Sequence, residues 1–193
     1  MRFFVFYFII ILFSFCVSNE EKSLSSYFLN LSKSIEENPY DIDLLLERVD
    51  YNTRRGHLES ALFDLKQCLL IDSLNADYHF KVADVYFAIS KKNNIKSTYP
   101  DLARFHLQRS LKIDNQHYRS YSLLGELLLA YGDYKGSLDN FISSLEINYN
   151  QANTHTLMGF TFKQLGSEKE AINSFRNAIS INPDYKEAYV QLG

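Results

Sequence analysis

The stretch YRSYSLLGELLLAYGDYKGSLDNFISSLEINYNQ at 118–151 lies without a gap over ANTHTLMGFTFKQLGSEKEAINSFRNAISINPDY at 152–185. Gly125, Gly159 and Gly193 stand 34 residues apart, and Gly132 and Gly166 keep the same interval. A third copy opens as KEAYVQLG at 186–193. Within the copy at 152–185, Ala171, Phe175 and Ala178 recur at four and three residues, which puts them on one face of a helix. Small residues beside a large ring let two antiparallel helices approach while the ring fills the groove between them. Gly132 and Gly166 mark a tight turn inside each copy, and Pro183 with Asn182 and Asp184 suits the break between copies.

Upstream, IDLLLERVDYNTRRGHLESALFDLKQCLLIDSLN at 42–75 fits the same frame, with Gly56, Ala61, Leu65 and Cys68 in register and Val49 where Gly125 and Gly159 stand later. Residues 76–117 form a longer copy of 42 residues, whose eight extra residues are expected between its two helices, around Lys91 to Pro100. A longer surface loop costs little closure entropy, about 0.6 kcal/mol per doubling, so stacking need not be disturbed. Before Ile42, SLSSYFLNLSKSIEENP reads as the second helix of a partial copy, with Tyr27, Leu31 and Ser34 at packing positions and Pro39 near its end.

This register resembles the tetratricopeptide repeat family, whose period is about 34 residues and whose signature runs aromatic, Leu-Gly, aromatic, then Ala, aromatic and Pro. Tyr121, Leu124, Gly125 and Leu128, then Ser137, Phe141 and Ser144, fill those roles in one copy. His155, Met158, Gly159 and Phe162, then Ala171, Phe175, Ala178 and Pro183, fill them in the next. The resemblance covers roughly residues 23–193 and implies an all-α, right-handed superhelical solenoid of antiparallel helix pairs. The expected organisation is a leader at 1–18, a partial capping helix at 19–41, and an array at 42–193 divided as 42–75, 76–117, 118–151, 152–185 and a partial 186–193.

The resemblance also implies a concave groove lined by first helices, with ligand contacts at first-helix positions two, five, nine, twelve and thirteen. Carried onto this chain, they give a mixed acidic and aromatic set in which Asp50, Phe80, Asp84, Phe87, Glu126, Phe160 and Lys163 are the candidate partner-binding residues. The rings are the expected anchors, and the carboxylates are expected to select a basic or neutral segment. The Lys and Asn pattern that clamps a terminal carboxylate in some relatives is not reproduced.

Chemistry beyond binding finds no residues to carry it. His79 and His155 share the packing slot that Tyr121 fills elsewhere; HExxH, GxSxG and a glycine-rich phosphate loop are all missing from the sequence. No catalytic role, cofactor or metal is expected. A net charge of −3 argues against a nucleic-acid surface, although 76–117 alone carries a positive excess that includes Lys91, Lys92 and Lys96. Those lysines read as solvated loop, or as a contact for an anionic headgroup or acidic peptide.

Phe3 to Val17 run without charge after Arg2, the pattern of an export signal, with Cys16 and Ser18 as small residues before a cut ahead of Asn19. An uncleaved membrane anchor and a lipid on Cys16 are the competing readings, and the bulky Phe15 argues against the lipid. Asn30-Leu31-Ser32 would be a glycosylation sequon in a eukaryotic cell, but inside a helix. The expected product is an exported protein, in periplasm, extracellular space or secretory lumen, that binds a protein or peptide partner. The alternative is a scaffold or regulatory segment of a larger secreted or membrane-associated assembly or enzyme.

Overall fold

Three glycines decide where helices end. Gly56, Gly132 and Gly166 have φ of 73°, 82° and 75°, a left-handed conformation that costs a residue without Cβ nothing. At each, the chain closes the same turn: Gly132 N–H donates to the Leu129 carbonyl (3.1 Å) and Asp133 N–H to that of Leu128 (2.9 Å), with the same pair of bonds at Gly56 and Gly166. A second helix starts two residues later and runs back along the first.

The computed structural model describes residues 25–93 and 98–192, and these are all-α, in paired antiparallel helices of the tetratricopeptide-like kind. The leader, its cut, the lipid at Cys16 and Lys96 lie outside the described residues. The helices are α1 (25–37), α2 (Ile42–Arg54), α3 (Leu58–Ile71), α4 (Ala76–Asn93), α5 (Tyr99–Ile113), α6 (Tyr118–Ala130), α7 (Tyr134–Ile147), α8 (Ala152–Gln164), α9 (Glu168–Ile181) and α10 (Lys186–Leu192). No described helix is long and apolar enough to cross a membrane.

The chain divides into two compact units, residues 1–71 and 72–193. In the first, Leu31 and Ile35 of α1, Leu45 and Val49 of α2, and Ala61, Leu65 and Cys68 of α3 are buried. Asp41 caps α2, accepting from the N–H groups of Asp43 (3.0 Å) and Leu44 (3.2 Å). A charged pair is enclosed here as well: Arg48 donates from Nε and Nη2 to the two carboxylate oxygens of Asp64, at 2.8 and 2.7 Å. Asp64 is 1% exposed, so both carboxylate oxygens depend on this fork.

In the second unit, α4, α6 and α8 neighbour one another, and α5, α7 and α9 each bridge two successive first helices. The small–large fit is explicit. A Cβ on Gly125 would stand 2.6 Å from the Phe141 ring, and one on Gly159 would stand 2.5 Å from the Phe175 ring. Ala83 and Leu107 hold the same positions in the longer copy, both fully buried. Between pairs the packing is partly hydroxylic: Ser110 meets Ser120 at 2.8 Å, Ser122 meets Thr154 at 2.7 Å and Ser137 meets Thr161 at 3.2 Å. These groups satisfy one another where water is excluded.

The longer copy departs from the sequence expectation. Its additional residues are not all connection, because α4 has 18 residues against 13 for α2, α6 and α8. Ser90 stands where the turn glycine stands in the other copies, and the helix continues past it to Asn93. Lys91 and Lys92 are therefore helical, on an added turn of α4.

Candidate partner-binding face

α4, α6 and α8 lie side by side because each second helix packs against the first helix of its own copy and of the next. The side chains they turn away from the second helices form one polar and aromatic face. Asp50 is not among them: it belongs to the first unit, exposed on α2, and lines a cavity of about 340 Å³ with Tyr27, Glu47, Tyr51, Arg54 and Arg55. There Tyr51 stacks on Phe28 (4.9 Å between centroids) and carries Arg55 over its ring at 5.0 Å, while the Tyr27 hydroxyl donates to Glu47.

In the second unit Phe80 and Phe87 of α4 are on the face but covered, 7% and 2% exposed. Each lies under a cation of the same chain that is also paired with a carboxylate. The Arg119 guanidinium sits 4.3 Å from the Phe80 centroid, with Asp77 at 3.5 Å. The Lys91 ammonium sits 4.2 Å from the Phe87 centroid and 3.1 Å from a Glu126 carboxylate oxygen. Phe160 is half-buried and meets Phe175 edge-on at 5.5 Å, part of the apolar cluster of Ala171, Phe175, Ala178 and Ala188. Lys163 is exposed and donates to the Gln191 side chain at 3.0 Å. The rings as they stand are thus packed or capped, and the outermost groups of the face are ionic.

Two carboxylates of α4 behave oppositely. Asp77 is held below the usual carboxylate range by the His117 imidazole (3.7 Å), with Lys81 and Arg119 adding to it against partial burial. The His117 tautomer follows from its other side: Nδ1 accepts the Ser120 N–H, which leaves the proton on Nε2, facing Asp77. Asp84 is pushed above its ordinary value, by the surrounding protein first and by Glu126 as well, while Lys91, Arg119 and Lys81 pull it down. Its side chain keeps an exposed surface, so solvent limits the shift, and it makes no hydrogen bond or ion pair among the described residues. At the far end, the Tyr185 hydroxyl donates to Asn153 at 3.0 Å and is pushed up to about 12 by burial, with Glu187 and Glu126 adding to it.

Sequence reasoning placed Asp84, Glu126 and the rings on this face, yet missed Arg119 and Lys91 as their covers. Arg119 had a legible signal, since it occupies a first-helix contact position. Lys91 becomes legible only once Ser90 is seen to replace the glycine that would have ended the helix. No group of three or more metal-ligating side chains occurs among the described residues.

The tetratricopeptide repeat family model matches residues 152–185, one copy of the array. No curated protein matches the chain. Among solved structures, a thermophilic tetratricopeptide repeat protein of Thermus thermophilus superposes with a TM-score of 0.72 at 14% identity, over 83% of this chain and 84% of that one. Pseudomonas aeruginosa PilF gives 0.69 at 18% identity, over 78% and 65%. MamA gives 0.66 at 17% identity, over 81% and 87%. At such identities the likeness is one of fold. Residues 152–185 therefore match the tetratricopeptide repeat in sequence, and the chain shares its paired-helix fold with proteins of that architecture.

Proposed function

We propose that the protein is a noncatalytic adaptor that holds a peptide or helix of a partner protein on the face formed by α4, α6 and α8, and that the segment held carries basic side chains. The observation that supports this most is Asp84. Asp84 is exposed on α4, its carboxyl is raised by the surrounding protein and by Glu126 against the pull of Lys91, and it has no hydrogen bond or ion pair among the described residues, so an arriving ammonium or guanidinium would give it one. Phe160 adds apolar contact, with Lys163 at the margin. Asp50 has its own setting beside Tyr51 and Arg54, a second place for contact on the first unit.

The deciding experiment is affinity capture from the exported fraction of the native host, with Asp84→Asn plus Glu126→Gln as the altered bait. Loss of a specific partner band, with the helical circular dichroism signal intact, is the expected result. Persistence of every band in that variant would end the reading. The apolar leader supports an exported setting, soluble or membrane-anchored; an intact mass starting near Asn19 is expected for the cleaved form, and one including Met1 for the anchor.

A further inference from the structure

Phe80 and Phe87 of α4 each carry a cation of their own chain, but the two covers differ in origin. Arg119 is at the second position of α6, inside the ordinary length of a first helix. Lys91 exists on this face only because α4 continues five residues beyond the length of its counterparts. That added turn brings the Lys91 ammonium to 3.1 Å from Glu126 and 4.2 Å from the Phe87 centroid. The Lys91 side chain remains 57% exposed, and that of Glu126 29%, so the contact is made at the surface and can be exchanged.

We propose that Lys91 is a built-in placeholder: it occupies the acid and aromatic cradle of Glu126 and Phe87 that a lysine or arginine of the partner segment would take, and it must swing out for that segment to bind. This rests on the reading of the α4, α6 and α8 face as the docking surface, and it names the chemistry of the side chain docked. The stereochemistry is that of a bound basic residue, with the ammonium over a ring and paired to a carboxylate. Asp84, three residues before Phe87 and seven before Lys91, shares their face of α4 and makes no hydrogen bond or ion pair among the described residues. A lysine on four flexible methylenes, anchored one helical turn beyond Phe87, can leave without unfolding anything. The consequence is a weakened but more selective site, because a segment with a single weak cation does not outcompete the resident one.

The test uses the full chain and fluorescein-labelled hexalysine as probe, read by anisotropy at low ionic strength, with hexaglutamate as the control peptide. Lys91→Met and Lys92→Met each remove one positive charge, but only the first vacates the cradle. Lys91→Met is expected to tighten hexalysine binding by about 1.5-fold to fivefold relative to Lys92→Met, the range an exposed ion pair spans. Asp84→Asn plus Glu126→Gln is expected to abolish the difference. Equal affinities for the two lysine variants, with binding still lost on changing Asp84 and Glu126, would overturn the placeholder and leave the docking face standing. Hexalysine that binds no variant would overturn both.

Discussion

The helix pair α2–α3 and the helix pair α8–α9 follow one register and solve the same packing problem with different residues. Where α8 has Gly159 and α9 has Phe175, α2 has Val49 and α3 has Leu65, with 4%, 1% and 0% exposure for Val49, Phe175 and Leu65. Volume removed from one helix is returned by the other. A second contrast lies one residue earlier in each helix: where the first pair has the enclosed Arg48–Asp64 fork, the last has Met158 and Ser174. A third is Leu45 against His155, both nearly fully buried. The repeat therefore specifies shape and leaves chemistry free, which is why a register can be read from sequence across copies that share few identical residues.

The largest expected effect comes from breaking the ionic pair on one side only. Arg48→Ala leaves the Asp64 carboxylate at 1% exposure with no fork, and a loss of about 3 kcal/mol of folding free energy is expected by denaturant titration. The exposed part of Arg48, 19% of its side chain, sets this at the lower end of what buried pairs lose. Writing the last pair's residues into the first, Arg48→Met plus Asp64→Ser, is expected to recover most of that loss. Failure to recover would mean that the two pairs are not interchangeable and that the fork fixes something beyond packing.

The next effect tests the exchange of volume. Gly159→Val places a side chain whose Cβ falls 2.5 Å from the Phe175 ring, and a loss of about 1 to 3 kcal/mol is expected. Adding Phe175→Leu recreates the Val49–Leu65 combination, and part of the loss should return. A double-mutant cycle with no coupling between the two would refute the compensation.

Much of this architecture was legible because its determinants are local and repeated. Gly132 and Gly166 announce their turns, and Ala171, Phe175 and Ala178 announce a buried stripe that is at most 1% exposed. The candidate face was legible only as a set of positions. Phe80, Phe87 and Phe160 fall on first helices as the register implies, but whether a ring is open depends on side chains from a neighbouring helix or an added turn, and sequence spacing does not carry that. The extra residues of the longer copy read as a connection, because an insertion usually falls in a loop; the substitution of Ser90 for glycine is the small signal that helix continues there.

Acid should act on the two pairs unequally. His79 and His155 are both held below the ordinary histidine range by burial, partly opposed by hydrogen bonds to the Ser73 and Tyr149 carbonyls. His155 donates from Nε2 toward the Tyr149 carbonyl at 3.2 Å, and its Nδ1 has no hydrogen-bond partner among the described residues. Since the unfolded chain takes up these protons near pH 6.5 and the folded chain resists them, stability is full above that pH and declines as pH falls through it. Hydrogen exchange at pH 5.5, corrected for intrinsic rates, should show lost protection in α4 and α8 with α2 and α3 little changed. His155→Leu, copying Leu45, should remove the α8 part of the response. Equal loss in α2 would place the acid sensitivity elsewhere.

The smallest effect is expected where the contacts look most numerous. Lys91 touches a ring and a carboxylate where Arg48 holds a single carboxylate, yet its side chain is 57% exposed against 19% for Arg48. Water already solvates the Lys91 ammonium and screens its attraction to Glu126, so what folding gains from the contact is little more than what it loses in ordering a long side chain. Lys91→Met should accordingly shift the folding free energy by less than about 0.5 kcal/mol, as surface substitutions commonly do. The same change is expected to alter affinity for a basic peptide severalfold, because binding compares the occupied cradle with the empty one, and folding does not. A destabilisation as large as that of Arg48→Ala would mean that the added turn of α4 is held in place by Lys91 and is part of the fold itself.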